Sequence, residues 1–179
     1  MSSSASSSPP PPSVASPGLG EVTIVSVPEV RVVALRAVVE NYRAQKNQWQ
    51  QLHAFCKAHN LVLDGPSRTI YYDEGFKAAD VDLEVCLQLH ADAKVPASDV
   101  AESEVKERVL PAFEKVASLT LIGPYEELPN AYRKLYAWRQ HVDVAAAGPV
   151  REVYRHADYA DDPTGKSFVT ELQLPIAAP

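Results

Sequence analysis

Hydrophobic and polar residues alternate most regularly in two segments that lie far apart in the chain. In residues 81–89 every second side chain is apolar: Val81, Leu83, Val85, Leu87 and Leu89. Residues 168–176 alternate in the same way, with Phe168, Leu172 and Leu174 on one side. Because side chains two positions apart share one face of a strand, both segments are predicted strands with one face toward a core.

Apolar residues spaced three or four positions apart predict two helices, at about 47–59 and 129–142. The stripe of the first helix is formed by Trp49, Leu52, Phe55 and Cys56, and that of the second by Tyr132, Leu135, Trp138 and Val142. Runs of β-branched residues predict further strands at 22–27, 30–38, 69–73, 116–122 and 150–156. The chain therefore contains more strands than helices.

The chain is internally repeated. The motif Gly-Pro-x-Arg-x-x-Tyr occurs at residues 65–71 and again at 148–154, 83 residues later. The two helical stripes are related by the same offset, and Glu84 and Glu171 occupy equivalent positions in the last strand of each copy. The repetition predicts an α+β domain of two β-α-β-β repeats, about 21–90 and 108–176, related by a pseudo-twofold axis. Helices are expected on one face of the sheet, with a ligand cleft between the repeats on the other face.

Composition and charge narrow the class of protein. Of the 179 residues, 46% are hydrophobic, which is enough for a core, yet no apolar run is long enough to cross a membrane. Lys and Arg total 17 and Asp and Glu total 23, so the net charge is −6, which argues against a nucleic-acid surface. Two cysteines do not form a disulfide framework, so reduced thiols and a cytoplasmic location are expected.

Residues 1–20 differ in composition from the rest of the chain. They contain no charged side chain, eight serines and five prolines. Such a segment cannot bury enough apolar surface to offset its ordering entropy, so a disordered tail is predicted. It has neither the basic start nor the apolar centre of a secretory signal. The folded domain is expected at 21–176, with no DNA-binding segment before it.

Two carboxylates are the first candidates for chemistry. Glu84 and Glu171 lie off the predicted core face of their strands, so a pseudo-twofold axis would turn both toward the shared cleft. Either could balance the charge of a cationic ligand. Two carboxylates at close range also raise the pKa of one of them, so one could act as an acid and the other as a base. The alternative is that each is a solvated glutamate on an open sheet face.

Four aromatic residues are candidates for the walls of the cleft. Tyr71 and Tyr154 are equivalent in the two repeats, and Tyr125 and Trp138 accompany them. Aromatic walls suit flat or cationic ligands through stacking and cation–π contact. The alternative is core packing, which the helical stripe favours for Trp138. The histidines and cysteines have no metal-ligand spacing, and no phosphate loop or dinucleotide motif occurs, so neither a metal site nor a cofactor is expected.

Several segments resemble the GyrI-like domain, which is also the effector-binding domain of AraC- and MerR-type multidrug-responsive regulators. The resemblance is carried by residues 123–128, 135–138, 151–154 and 168–176, and it extends over the whole of 21–176. It implies two β-α-β-β units around a cleft for bulky, aromatic, often cationic molecules. A glutamate in the final strand commonly serves as the pocket anion, and Glu171 stands at that position. The chain departs from the regulators because no helix-turn-helix is recognisable, so a free-standing member is expected.

Three functions follow from these residues and this resemblance. The first is binding of an aromatic, in some cases cationic, drug or toxin for sequestration or detoxification, through Glu171, Glu84, Tyr71, Tyr154, Trp138 and Tyr125. The second is hydrolysis of cyclopropane-bearing DNA-alkylating natural products, with Glu84 and Glu171 as catalytic groups acting on water and no cofactor. The third is an interaction with DNA gyrase. No direct nucleic-acid or membrane partner is expected, and the oligomeric state is left open.

Overall fold

The computed structural model describes residues 18–97 and 103–177. The predicted disordered tail lies outside these residues, except for its last three positions. There Gly18–Leu19 form a short strand, β1, which pairs with residues 121 and 122. No helix within the described residues is long and apolar enough to cross a membrane.

The remaining elements fall into two copies of one pattern. The first copy contains β2 (Thr23–Val27), β3 (Val30–Val39), α1 (Lys46–Ala58), β4 (Ser67–Tyr71) and β5 (Val81–Gln88). The second contains β6 (Lys106–Leu110), β7 (Phe113–Ile122), α2 (Leu128–Val142), β8 (Val150–His156) and β9 (Val169–Pro175). Strands β2, β3 and β4 begin 83 residues before β6, β7 and β8. The predicted α+β fold of two repeats is confirmed; β2 is the strand predicted at 22–27, and the second repeat has an equivalent short strand, β6.

Strand β6 is the strand of the second repeat that the sequence pattern did not predict. Its first three residues, Lys106, Glu107 and Arg108, are charged and hide the apolar alternation of a strand. The strand lies at the edge of the sheet and pairs with β3. Charged residues are common on edge strands because they discourage pairing with other chains.

The described residues form a nine-stranded antiparallel sheet in the order β1-β7-β9-β8-β4-β5-β3-β6, with β2 also on β7. The two repeats interlock, since β2 of the first repeat pairs with β7 of the second and β6 of the second pairs with β3 of the first. Strands β4 and β8 pair at the centre, with Thr69 opposite Glu152. The pseudo-twofold axis therefore passes through the middle of the sheet, between equivalent strands.

Both helices pack on one face of the sheet, as predicted. Leu52 of α1 and Leu135 of α2 are fully buried, and each belongs to the predicted apolar stripe of its helix. A 3-10 turn, Tyr42–Gln45, leads into α1 and begins where the Asn41 side chain accepts hydrogen bonds from two backbone N–H groups. Helix α2 ends where Asp143 takes a left-handed conformation with φ 52°.

Candidate small-molecule cavity

A cavity of about 1710 Å³ lies on the helix-bearing face of the sheet, above the central strands β4 and β8 and between α1 and α2. The sequence-based expectation put the cleft on the opposite face. The reason for the difference is the position of the helices. Helix α1 packs on β3 and β5, and α2 packs on β7, so the central pair of strands remains uncovered. Nine of the side chains that line the cavity are aromatic.

Glu152 lies on the floor of this cavity and is only 5% exposed. Three tyrosine hydroxyl groups from three different elements surround its carboxyl group. Tyr132 of α2 donates to Oε1 at 2.8 Å, and Tyr154 of β8 donates to Oε2 at 2.7 Å. Tyr71 of β4 also donates to Oε2, at 3.3 Å. Both repeats therefore contribute to one acidic site near the pseudo-twofold axis.

Burial raises the pKa of Glu152, because the charged form loses its contact with water. The hydrogen bonds from Tyr154, Tyr132 and Tyr71 act in the opposite direction, but the pKa remains above its ordinary value. Burial also raises the pKa of each of these three tyrosines, so their hydroxyl groups remain donors. The cavity floor thus holds a carboxyl group that can exchange a proton nearer to neutral pH than an exposed glutamate does.

The raised pKa of Glu152 predicts how stability depends on pH. The folded protein binds this proton more tightly than the unfolded chain, so the contribution is complete below the ordinary glutamate pKa and is lost as pH rises through the raised value. Relative to Glu152→Gln, the free energy of unfolding of the wild type is expected to fall by up to about 1.4 kcal/mol per pH unit in that window. Urea denaturation of both proteins at a series of pH values measures this slope. Parallel pH profiles would contradict the assignment.

The two carboxylates singled out from the sequence lie on the other face of the sheet and do not line the cavity. Glu84 is buried there, where it pairs with Arg108 at 2.9 Å and accepts a hydrogen bond from Tyr72. Glu171 accepts hydrogen bonds from Ser118, Arg155 and Gln173 at 2.8, 2.8 and 2.9 Å. The strand alternation correctly placed both residues on the face opposite the helices, but the helix-bearing face carries the cavity.

Glu84 and Glu171 also lie too far apart to share a proton. They are on β5 and β9, with β4 and β8 between them, so three strand spacings, roughly 14 Å of sheet, separate their backbones. Burial raises the pKa of Glu171, but the donors Gln173, Ser118 and Arg155 outweigh it and lower the pKa overall. Each carboxylate is therefore held by its own partners and not by the other.

The four aromatic candidates divide into two groups. Tyr71, Tyr125 and Tyr154 line the cavity, and the rings of Tyr125 and Tyr154 meet edge to face at 5.8 Å. Trp138 does not line it and packs instead against the hydrophobic core, the alternative that its place on the helical stripe favoured.

Exposed aromatic residues mark the rim of the cavity. Phe76 follows β4 and is 83% exposed, and its ring stacks on Tyr42 at 5.7 Å. Tyr159 follows β8, the equivalent strand of the second repeat, and its ring is 6.5 Å from that of Tyr125. Both side chains line the cavity as well. No group of His, Cys, Asp and Glu side chains that could hold a metal ion occurs within residues 18–97 and 103–177.

A two-repeat α+β sheet with an aromatic cavity over its central strands is the architecture of a small-molecule-binding domain. The family model for the GyrI-like small molecule binding domain matches residues 20–177, and the chain belongs to this family. The family to which the sequence motifs bear a resemblance is therefore confirmed. No curated protein matches the sequence.

Several solved structures share the fold. The EcmrR C-terminal domain has a TM-score of 0.76 and 22% identity, over 89% of this chain and 98% of that domain. A hydrolase from Listeria innocua has a TM-score of 0.62 and 13% identity, over 90% and 94% of the two chains. SAV2435 bound to tetraphenylphosphonium has a TM-score of 0.56 and 13% identity, over 89% and 95%. The match to EcmrR in a complex with DNA covers 58% of that longer chain.

Proposed function

We propose that the cavity between α1 and α2 binds a bulky aromatic small molecule and that Glu152 receives a positive charge or a hydrogen-bond donor of this ligand. The observation that carries the proposal is the buried carboxyl group on an aromatic floor. Within the described residues, no cationic side chain forms an ion pair or hydrogen bond with Glu152. Because an unpaired buried acid is costly to keep, its presence in a cavity favours a functional role.

The size and lining of the cavity indicate the kind of ligand. Its volume, about 1710 Å³, exceeds that of most drug-binding pockets, which hold roughly 300–1000 Å³. Aromatic walls favour flat rings and cations through stacking and cation–π contact. The structure of the relative SAV2435 contains bound tetraphenylphosphonium, a bulky aromatic cation. This supports the same class of ligand here. We propose sequestration or detoxification of a drug or toxin as the biological consequence.

In this proposal Glu152 is the acidic group that faces the ligand, the role that the sequence analysis predicted for Glu171 and Glu84. Tyr71, Tyr125 and Tyr154 keep the role of aromatic walls, and Trp138 packs against the hydrophobic core. The assignment of the anion changes, whereas the expected class of ligand does not.

Hydrolysis in the same cavity is the second candidate, and the Glu152 cluster is the observation that favours it. A carboxylate among tyrosine hydroxyl groups could take a proton from water, while a tyrosine donates a hydrogen bond to a substrate oxygen. Two relatives of the fold are described as hydrolases from Listeria innocua. A cyclopropane-bearing alkylator remains the substrate class to test. Binding to gyrase stays a prediction without an assigned surface.

A time course separates binding from hydrolysis. The protein is incubated with fluorescent planar cations and with one cyclopropane-bearing alkylator, and ligand fluorescence and product mass are followed together. The proposal expects saturable binding that Glu152→Gln weakens and Glu171→Gln does not. Turnover to a product heavier by one water, lost in Glu152→Gln, would establish the hydrolase instead. Absence of both binding and turnover would contradict both candidates.

A further inference from the structure

Glu152 belongs to a closed ring of hydrogen bonds that extends beyond the cavity floor. Gln45 Nε2 donates to the Tyr71 hydroxyl group at 3.3 Å, and the Thr69 hydroxyl group donates to Gln45 Oε1 at 3.0 Å. Thr69 Oγ1 also lies 3.0 Å from the Tyr154 hydroxyl group, and either oxygen could be the donor there. Since Tyr71 and Tyr154 both contact Glu152 Oε2, the ring closes through the carboxyl group.

The orientation of the Gln45 amide is fixed by two further contacts. Its Nε2 donates to the backbone carbonyl of Tyr42 at 2.8 Å, and its Oε1 accepts from the indole N–H of Trp49 at 3.3 Å. Reversing the amide would set two donors against each other and two acceptors against each other. Gln45 Oε1 is therefore an acceptor, and the hydrogen in its contact with Thr69 must come from Thr69.

The number of hydrogens in the ring depends on the protonation of Glu152. Five contacts each need a hydroxyl or carboxyl hydrogen: three between tyrosines and Glu152, one between Tyr154 and Thr69, and one between Thr69 and Gln45. The four hydroxyl groups involved carry one hydrogen each, so the ring is one hydrogen short when Glu152 is ionised. A proton on Glu152 supplies the fifth. The carboxyl group then donates to Tyr154, Tyr154 to Thr69, and Thr69 to Gln45.

We propose that Thr69 and Gln45 act as positioning residues that hold a proton on Glu152 in the empty cavity, and that a bound cation displaces this proton into solvent. The inference rests on the proposed function and deepens it. When the cation arrives, the O–H bond of Glu152 breaks, the proton goes to water or buffer, and the carboxylate keeps the electron pair and faces the cation. Tyr154 then turns its hydrogen to Glu152, and Thr69 is left with one hydrogen for two acceptors.

The surroundings of Glu152 favour this exchange. The groups that reach it are Tyr71 from β4, Tyr132 from α2 and Tyr154 from β8, all neutral donors. The other acidic and basic side chains that line the cavity are Arg43, Lys46, His53, Asp73, Glu126 and Arg133. None of these six forms a hydrogen bond or ion pair with Glu152, so no permanent cation competes with the ligand for its charge.

Proton displacement makes the choice of ligand depend on pH. A permanent cation competes with the proton, so its affinity is expected to rise with pH, by up to about tenfold per pH unit while the free protein is protonated. A neutral aryl-phosphorus compound of similar size leaves the proton in place and is expected to show a flat profile. The affinity for a cation relative to that for a neutral ligand is therefore expected to be smaller at low pH and larger at high pH.

Calorimetric titration with tetraphenylphosphonium and with neutral triphenylphosphine oxide tests the inference. Titrations in buffers of different ionisation enthalpy give the number of protons released on binding. We expect about one proton for the cation and none for the neutral compound. Cation binding without proton release would overturn the inference and leave the proposed function intact. Failure of both compounds to bind would count against both.

Thr69→Val separates a positioning role from a merely structural one. Valine has nearly the same shape in this buried strand position but removes both contacts of the Thr69 hydroxyl group, so three hydroxyl hydrogens then serve three contacts with an ionised Glu152. Proton release is expected to fall toward zero, with binding of the neutral compound unchanged. Thr69→Ser keeps the hydroxyl group and should retain the release. Equal release from Thr69→Val and the wild type would overturn the role of Thr69.

The infrared difference spectrum between the ligand-free wild type and Glu152→Gln tests, without any ligand, whether Glu152 carries a proton. A protonated carboxyl band is expected at neutral pH. Its absence would overturn the inference even if cations bind.

Discussion

Replacing Glu152 by glutamine is expected to weaken binding of tetraphenylphosphonium by on the order of 10- to 100-fold, above the pH at which the carboxyl group ionises. The amide keeps the size of the side chain and one acceptor oxygen, replaces the other oxygen by an NH2 donor, and removes the charge. Little solvent screens that charge on a buried floor, so a cation within a few ångströms loses a strong attraction. Binding of neutral triphenylphosphine oxide should change by less than about threefold. Equilibrium dialysis with both compounds measures the difference.

Glu171→Gln is the matched control. It removes the same charge from a glutamate of the same sheet, but from the face that is turned away from the cavity. Its effect on either compound is expected to stay within about twofold, since its side chain lies on the opposite side of the sheet from the cavity and its charge is already paired with Arg155. A strong effect of Glu171→Gln together with a weak effect of Glu152→Gln would contradict binding in the cavity. It would indicate that the ligand binds on the opposite face, as the sequence pattern predicted.

Arg108→Met is expected to lower the free energy of unfolding by about 2–3 kcal/mol. Glu84 is almost fully buried, with a side chain only 4% exposed, and it depends on Arg108 for its counter-charge at 2.9 Å. Methionine keeps much of the apolar stem but leaves the carboxylate unpaired. Because the Arg108 side chain is 38% exposed, the loss should stay below that of a fully buried pair. Urea denaturation measures it.

Two further variants test whether the loss of stability comes from the buried charge of Glu84: a rescue by a second substitution and a control at an exposed ion pair. Adding Glu84→Gln to Arg108→Met removes the unpaired charge, and the double variant should regain most of the lost stability. Lys134→Met breaks a pair with Glu21, whose side chain is 86% exposed, and should cost less than about 1 kcal/mol. If Arg108→Met and Lys134→Met cost the same, burial of Glu84 would not be the source of the effect.

The repeat made most of the fold predictable from the sequence. The offset of 83 residues recurs in β2, β3 and β4 against β6, β7 and β8, and strand β8 has the bounds that its β-branched run predicted. The exchange of first strands between the repeats was not predictable, because strand pairing depends on contacts distant in sequence and not on local pattern. Strand β6 was hidden by its charged residues.

The candidate site was less predictable from the sequence than the fold was. Alternation shows which residues share a face, but the face that stays uncovered depends on where the helices pack. Glu152 was missed because Arg151 and Glu152 are adjacent charged residues, which interrupt the alternation of β8. A signal was nevertheless present, since Glu152 lies two positions before Tyr154 and must share its face. The same reasoning that selected Tyr154 as a wall residue leads to Glu152.

Mapping the bound ligand by photo-crosslinking tests the central claim most directly. A triphenylphosphonium probe that carries a benzophenone group is irradiated with the protein, and labelled residues are identified by mass spectrometry with and without excess tetraphenylphosphonium. The account predicts competed labels on the cavity wall, at residues such as Trp49, Tyr132 and Tyr154. Competed labels confined to the opposite face, around Glu84, Arg108 or Glu171, would contradict it.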